Sequence, residues 1–498
     1  DLMGLALPAN NQFVEIKPYA LGGTDYSGDN KDQTWNIGGD VNYLITPNYR
    51  LNLTANTDFA QVEADQQQIN ITRFPLFFPE LREFFLEGQD YFDMGFGGNR
   101  IIPFYTRRIG LNDNRESIPI LGGARLLGKS QNSTLGLMSI QTGRDGDLPA
   151  RNYTVGSWRQ DLGGQSIFGV MSANEFRDGR WHTTTGINGQ FTNNNFLSDK
   201  NINLGGAIIK SHNSDDGWEA QSYAYRLFAG YPNDKITIFT STQRSPAPFD
   251  AEIGLMRRRN FRENFFLLAL TPRPNQDGPF GWIRQFNFRP GTITYTQYDD
   301  SKDLQTFQYA LRFLGISTRS GEELNLNYTV RAEGLIEDFE IRRGLIIPQG
   351  TYWWREWNFN IESFQSRSFS VMSSINFGGF YDGTSLRSSN TIRWRATKHI
   401  NMDLLYEYNS IDLPGGTFNS NLFSHRLRYA ISPNAFGSLL SQWNTQQEEL
   451  NFNFRLQLIP KNGTNFFLIV NQIYDTQASK IISERGTVIG KLIWRFTI

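Results

Sequence analysis

Alternation of period two runs the length of this chain in segments of roughly ten to fifteen residues, and helical periodicity is nearly absent. In residues 449–458, Leu450, Phe452, Phe454, Leu456 and Leu458 fall on one face, with Glu449, Asn451, Asn453, Arg455 and Gln457 on the other. Residues 323–333 and 401–408 repeat the split, Leu405 excepted. Strands of soluble sandwiches average about five or six residues, whereas a tilted strand crossing a bilayer needs about nine to eleven. The polar face carries full charges in mid-strand, Arg331, Arg393, Arg395 and Arg455 among them, so it must be wet. Lipid outside and water inside satisfy both faces, and an all-β transmembrane barrel of the outer-membrane type is the expected fold, with Arg331, Arg393, Arg395 and Arg455 as lumen charges.

Composition narrows the alternatives. With 48 Lys+Arg against 49 Asp+Glu there is no basic field to hold nucleic acid, and with no Cys there are no disulfides or thiolate sites. No run approaches the length of a membrane-spanning helix. Asp1-Leu2-Met3-Gly4 lacks the features of a secretion signal, so the chain reads as mature or truncated. The final strand, 487–498, sets Val488, Gly490, Leu492, Trp494, Phe496 and Ile498 on one face. Pairing it with a first strand near 12–26 would close the barrel and remove an apolar edge.

Tight turns are expected at Thr46-Pro47-Asn48, Lys129-Ser130-Gln131-Asn132, Leu162-Gly163-Gly164, Tyr231-Pro232-Asn233, Arg319-Ser320-Gly321, Pro433-Asn434 and Lys461-Asn462-Gly463. Longer or more polar links fall near 27–32, 110–117, 246–261, 338–349, 413–418 and 477–485. Parity between short periplasmic turns and long outer loops then requires strands at 66–74 (downward) and 101–109 (upward), for a total of about 26, uncertain by two. Such a barrel is on the order of 50 Å across. Residues 1–498 form one barrel domain, and its one sizeable insert, 75–100, is placed at the periplasmic end, where it narrows the lumen without closing it.

The most informative stretch runs Asn56-Thr57-Asp58-Phe59-Ala60-Gln61-Val62-Glu63-Ala64-Asp65-Gln66, resumes at Ile69-Asn70-Ile71-Thr72-Arg73-Phe74-Pro75-Leu76-Phe77-Phe78-Pro79-Glu80 and continues to Gly88. Pro79, Glu80, Glu83 and Gly88 suggest one or two helical turns. Together with Phe104–Gly110, Pro119–Leu126 and Arg151–Val155, this stretch resembles a family of Gram-negative outer-membrane proteins with a C-terminal barrel domain of unknown function. That domain is usually preceded by a family 9 type carbohydrate-binding module. The resemblance is specific over residues 36–176. This chain departs from that pattern in lacking the module, so the sugar-binding role that the resemblance implies for the module is not carried over.

Candidate chemistry is sparse. His182, His212, His399 and His425 have no metal or triad spacing, and no Gly-x-Ser-x-Gly elbow accompanies them, so neither catalysis nor a cofactor is expected. Asp58, Glu63 and Asp65 lack a cation-binding loop and are expected to pair with Arg73, Arg107 and Arg108. Met256-Arg257-Arg258-Arg259 reads as a solvated basic loop, with contact to lipopolysaccharide phosphates as the alternative. Trp353, Trp354 and Trp357 suit an interfacial girdle, with a carbohydrate-stacking platform as the alternative. Phe77, Phe78, Phe84 and Phe85 present more apolar surface than a free periplasmic turn can leave in water, and are expected to dock a plug or partner, with a self-contained apolar cluster sealing the barrel rim as the alternative. The expected function is a wide conduit for import or export of a large solute or polypeptide, gated by a plug or by another outer-membrane or periplasmic protein. The alternatives are a non-transporting assembly subunit and a carbohydrate-binding surface protein.

Overall fold

The computed structural model describes residues 13–28, 30–59, 64–97, 100–112, 117–215, 223–477 and 481–498. Three strands open the chain, β1 (Val14–Ser27), β2 (Asn30–Thr46) and β3 (Tyr49–Thr57). Sequential antiparallel hairpins follow from Ile120–Lys129 to Ile482–Trp494, and β1 pairs with that last strand from Tyr19↔Ile493 to Ser27↔Arg485. The sheet has 26 strand segments. Two of them, Ile283–Phe286 and Phe496–Thr497, continue a neighbour, so among the described residues 24 strands close the ring. The expectation of a closed antiparallel barrel of about 26 strands holds, as does its closure.

The two expected faces are present. On the last strand Val488 is 40% exposed and Phe496 54%, whereas Lys491, between them, is 1% exposed and points inward. Phe454 lies outward and Asn453 is buried. Trp353 and Trp357 stand on the outer face, while Trp354 turns inward to stack on Tyr381 at 5.1 Å, so only the first two can belong to a girdle. All-round outward apolar side chains can be solvated only by lipid, so the chain is an outer-membrane barrel.

Topology departs from expectation at one place. β3 pairs directly with Ile120–Lys129, from Tyr49↔Gly128 to Thr57↔Ile120. Residues 66–74 and 101–109 are therefore not barrel strands, and the described residues between β3 and Ile120 belong to one insert that leaves the wall at the loop end. Parity misplaced it because counting two further strands, 66–74 and 101–109, leaves the same up–down alternation as counting neither, and Ile69 and Ile71 alternate with Gln68 and Asn70 as a short strand would. Of the links expected to be longer or more polar, those at 27–32 and 413–418 are short, closing at Ser27↔Asn30 and Leu413↔Gly416.

Candidate functional site

The insert lies inside the barrel, as its partners around the ring require. Asp58 accepts a hydrogen bond from Lys491 Nζ at 2.9 Å, and the backbone N–H of Gln67 donates to Gln442 Oε1 at 2.8 Å. Arg73 reaches the opposite side, where its Nε donates to Glu333 at 2.6 Å and its Nη1 to Tyr298 at 2.8 Å. Farther on, Ser157 donates to the Tyr91 carbonyl, Arg226 to that of Gly95, and Arg100 to Glu263. Only a segment within the ring can touch so many strands.

From the loop end the chain crosses the lumen, descends to the turn end and returns. Near the turn end lies a helical turn, Glu83–Leu86, that starts later than Pro79 and stops before Gly88, and Glu87, Gly88, Asp90 and Tyr91 after it lie beside the turn residues Asn48 and Ser130. Gly88 adopts φ 74°, and a Cβ there would strike the Leu127 side chain, so glycine alone fits this reversal. By the outer-membrane convention the turn end is periplasmic. The tip therefore reaches the periplasmic mouth from inside, although the insert is rooted at the other end.

Two forces seat it. Phe85, Phe92, Met94, Phe96, Phe104 and Ile109 pack on inward Leu127, Met138, Ile140, Val155, Met171 and Ile209, giving the barrel an apolar core on one wall. Ionic clamps supply the rest. Glu80 receives Arg82 Nε at 2.8 Å, Arg82 Nη2 at 2.7 Å and the Thr106 hydroxyl at 2.7 Å, and Arg82 also donates to the carbonyls of Thr106 and Ile109. This buried fork ties the descending arm to the returning one. Burial alone would raise the Glu80 carboxyl, but hydrogen bonds and charge from Arg82, with the Thr106 hydroxyl, hold it below its ordinary value. Arg125, buried on the wall, donates to the Glu87 carboxylate at 2.7 Å and lies over the Phe84 ring.

Each expected site residue can now be placed. Phe85 is buried and meets Phe84 edge-on at 5.2 Å, while Phe77 and Phe78 are half-buried near Tyr105. The apolar surface of Phe84 and Phe85 is thus satisfied by the chain's own barrel. Asp65 pairs with Arg107 as expected, but Asp58 pairs with Lys491 and Arg73 with Glu333. Glu63 lies outside the described residues. Of the 257–259 arginines only Arg259 is solvated as expected, pairing with Asp250; Arg258 is buried 4.2 Å over the Phe74 ring and binds Gln305 and Thr306, and Arg257 donates to the Pro75 carbonyl. Arg331 faces the lumen and binds Glu356 at 2.6 Å, and Arg455 lies over Phe467. Arg393 and Arg395 sit lower, Arg395 donating to carbonyls of the 363–368 turn. His182 and His212 lie on paired strands, with His212↔Thr183 and Asn213↔His182 in register, a proximity that spacing along one strand cannot reveal. No cluster of three or more metal-ligating side chains occurs among the described residues.

Among the described residues a ring of 24 strands encloses an internal insert, which defines the class: a large outer-membrane β-barrel. The model of a family described as a domain of unknown function (DUF5916) matches residues 14–121, which are β1–β3 and the insert. The resemblance read from this stretch is borne out over those residues. No curated protein matches the chain. Among solved structures, the siderophore receptor PiuA from Acinetobacter baumannii is 8% identical, with 99% of this chain and 82% of that one covered and a TM-score of 0.47. The FrpB iron transporter from Neisseria meningitidis is 9% identical, with 98% and 83% covered and a TM-score of 0.46.

Proposed function

We propose that the protein is a gated conduit of the outer membrane that moves a large solute or polypeptide without transforming it, and that residues 58–119 are its own gate. One observation carries this reading: the insert lies inside the lumen and touches strands on opposite sides of the ring, so an obstruction is built into the chain that forms the passage. A barrel on the order of 50 Å across has no structural need of so wide a polar interior. The gate is also asymmetrically fastened, with an apolar seat on one wall and an ionic pin, Arg73 to Glu333, on the other. A partner at the periplasmic mouth would act on the tip, where Leu86 is exposed.

Planar-bilayer recording of the intact protein and of a variant lacking residues 64–111 tests this. The intact protein is expected to be closed and the variant to pass large current steps. A folded variant that stays closed would favour the assembly-subunit reading.

A further inference from the structure

The wall opposite the apolar seat carries a row of side chains in one continuous register. Arg289 faces Arg312, which faces Asn327, then Asn358, Asn376 and Arg387 on successive strands. Hydrogen bonds align the row: Arg312 Nε donates to Asn327 at 2.9 Å, Asn327 to Asn358 at 2.7 Å, and Asn358 to Asn376 at 2.8 Å. A cavity of roughly 300 Å³ opens in front of it, lined by wall residues.

The charge of this row is unbalanced. Many other cations on the inner wall meet a carboxylate, as in Arg73–Glu333 and Arg100–Glu263, or share one, as Arg244, Arg262 and Lys302 share Asp299. Here Glu356 alone serves both Arg331 and Arg387. Among the described residues neither Arg289 nor Arg312 forms an ion pair, and Glu323 beside them accepts from Ser317 instead. Like charges placed directly opposite each other on paired strands oppose folding. A guanidinium pair also presents two planar forks matched to carboxylate or phosphate oxygens.

We infer that Arg289 and Arg312, backed by the asparagine row, bind carboxylate or phosphate groups of a solute inside the lumen, so that the cargo is anionic. This rests on the conduit reading but is tested separately. First, the intact protein is titrated calorimetrically with citrate, with inorganic phosphate and with glucose as a neutral control. Binding of either anion, weakened about tenfold or more by Arg289→Gln with Arg312→Gln, is expected, a change of about 1.4 kcal/mol. Which anion binds distinguishes carboxylate from phosphate cargo. Second, the insert-deleted barrel is recorded under a salt gradient, where anion preference is expected, reduced in the double variant. Heat-modifiable gel migration confirms that each variant is folded. No binding of either anion, binding unchanged by the double variant, or a cation-preferring pore overturns the inference. A deleted barrel that passes no current removes the conduit reading, and the titration still decides the site.

Discussion

From Ile120 to Pro232 the inward positions carry Met138, Ile140, Val155, Met171 and Ile209, and the rings of the insert lie on them. From Phe288 to Arg395 the inward positions carry Arg312, Asn327, Asn358, Asn376 and Arg387, fronted by open space. Both walls come from the same alternating strand, with lipid on one side of each. The difference lies in what the inner side must satisfy. Dry packing holds the insert to the first wall through removal of apolar area from water, which salt does not weaken. The second wall is polar over this row and holds the insert at the loop end, through Arg73 and through Ile71, which packs on the apolar cluster of Leu335, Trp354, Phe380 and Tyr381. A plug attached this way is expected to loosen from the polar wall first and swing on the apolar one.

The largest expected effect lies on the apolar wall. Phe85→Ala should cost the seated insert about 3 to 5 kcal/mol, read as protease cleavage within 64–97 while the barrel keeps its folded gel mobility. Cleavage no faster than in the parent protein would mean that the apolar wall does not seat the plug. As a control on the outer face, Phe454→Arg should cost the whole barrel about 2 to 4 kcal/mol near the bilayer midplane, with Asn453→Arg far milder, measured as folding yield in lipid. Equal yields would contradict the face assignment.

On the polar wall, Arg73→Gln should cost about 1 to 3 kcal/mol and should make insert cleavage less dependent on salt than in the parent, because the screened pin is gone. An unchanged salt dependence would place the releasable contact elsewhere. The smallest effect near neutrality concerns pH. Glu80 is held below its ordinary value of 4.5, so its stabilising contribution is complete above that value and is lost as pH falls through the lowered one. Insert cleavage should rise in acid below that point, and less so in Glu80→Gln. An identical acid response in both would remove Glu80 as the cause.

Much of the barrel was legible because burial on one side imposes period two and leaves a signature in every strand, as residues 449–458 show. Closure was legible from the apolar face of 487–498. The insert was not, because its determinants are partners remote in sequence. Arg258 looks solvated until Phe74 is found beneath it, and Phe84 and Phe85 look unpartnered until Arg125 and Leu127 are brought to them. The segment 66–74 imitates a strand because a chain crossing a lumen also alternates between contacts. His182 and His212 became neighbours only through strand register.

The central claim is that the insert occupies the lumen, and a single-cysteine labelling experiment in intact outer membranes tests it most directly. The chain has no cysteine of its own, so Met94→Cys, at a position 2% exposed, and Leu86→Cys, at one 45% exposed on the tip, each give one reporter. A bulky water-soluble maleimide admitted to both faces of the membrane should modify Leu86→Cys readily and leave Met94→Cys unmodified until the protein is denatured. Rapid modification of Met94→Cys in the folded barrel would contradict the account.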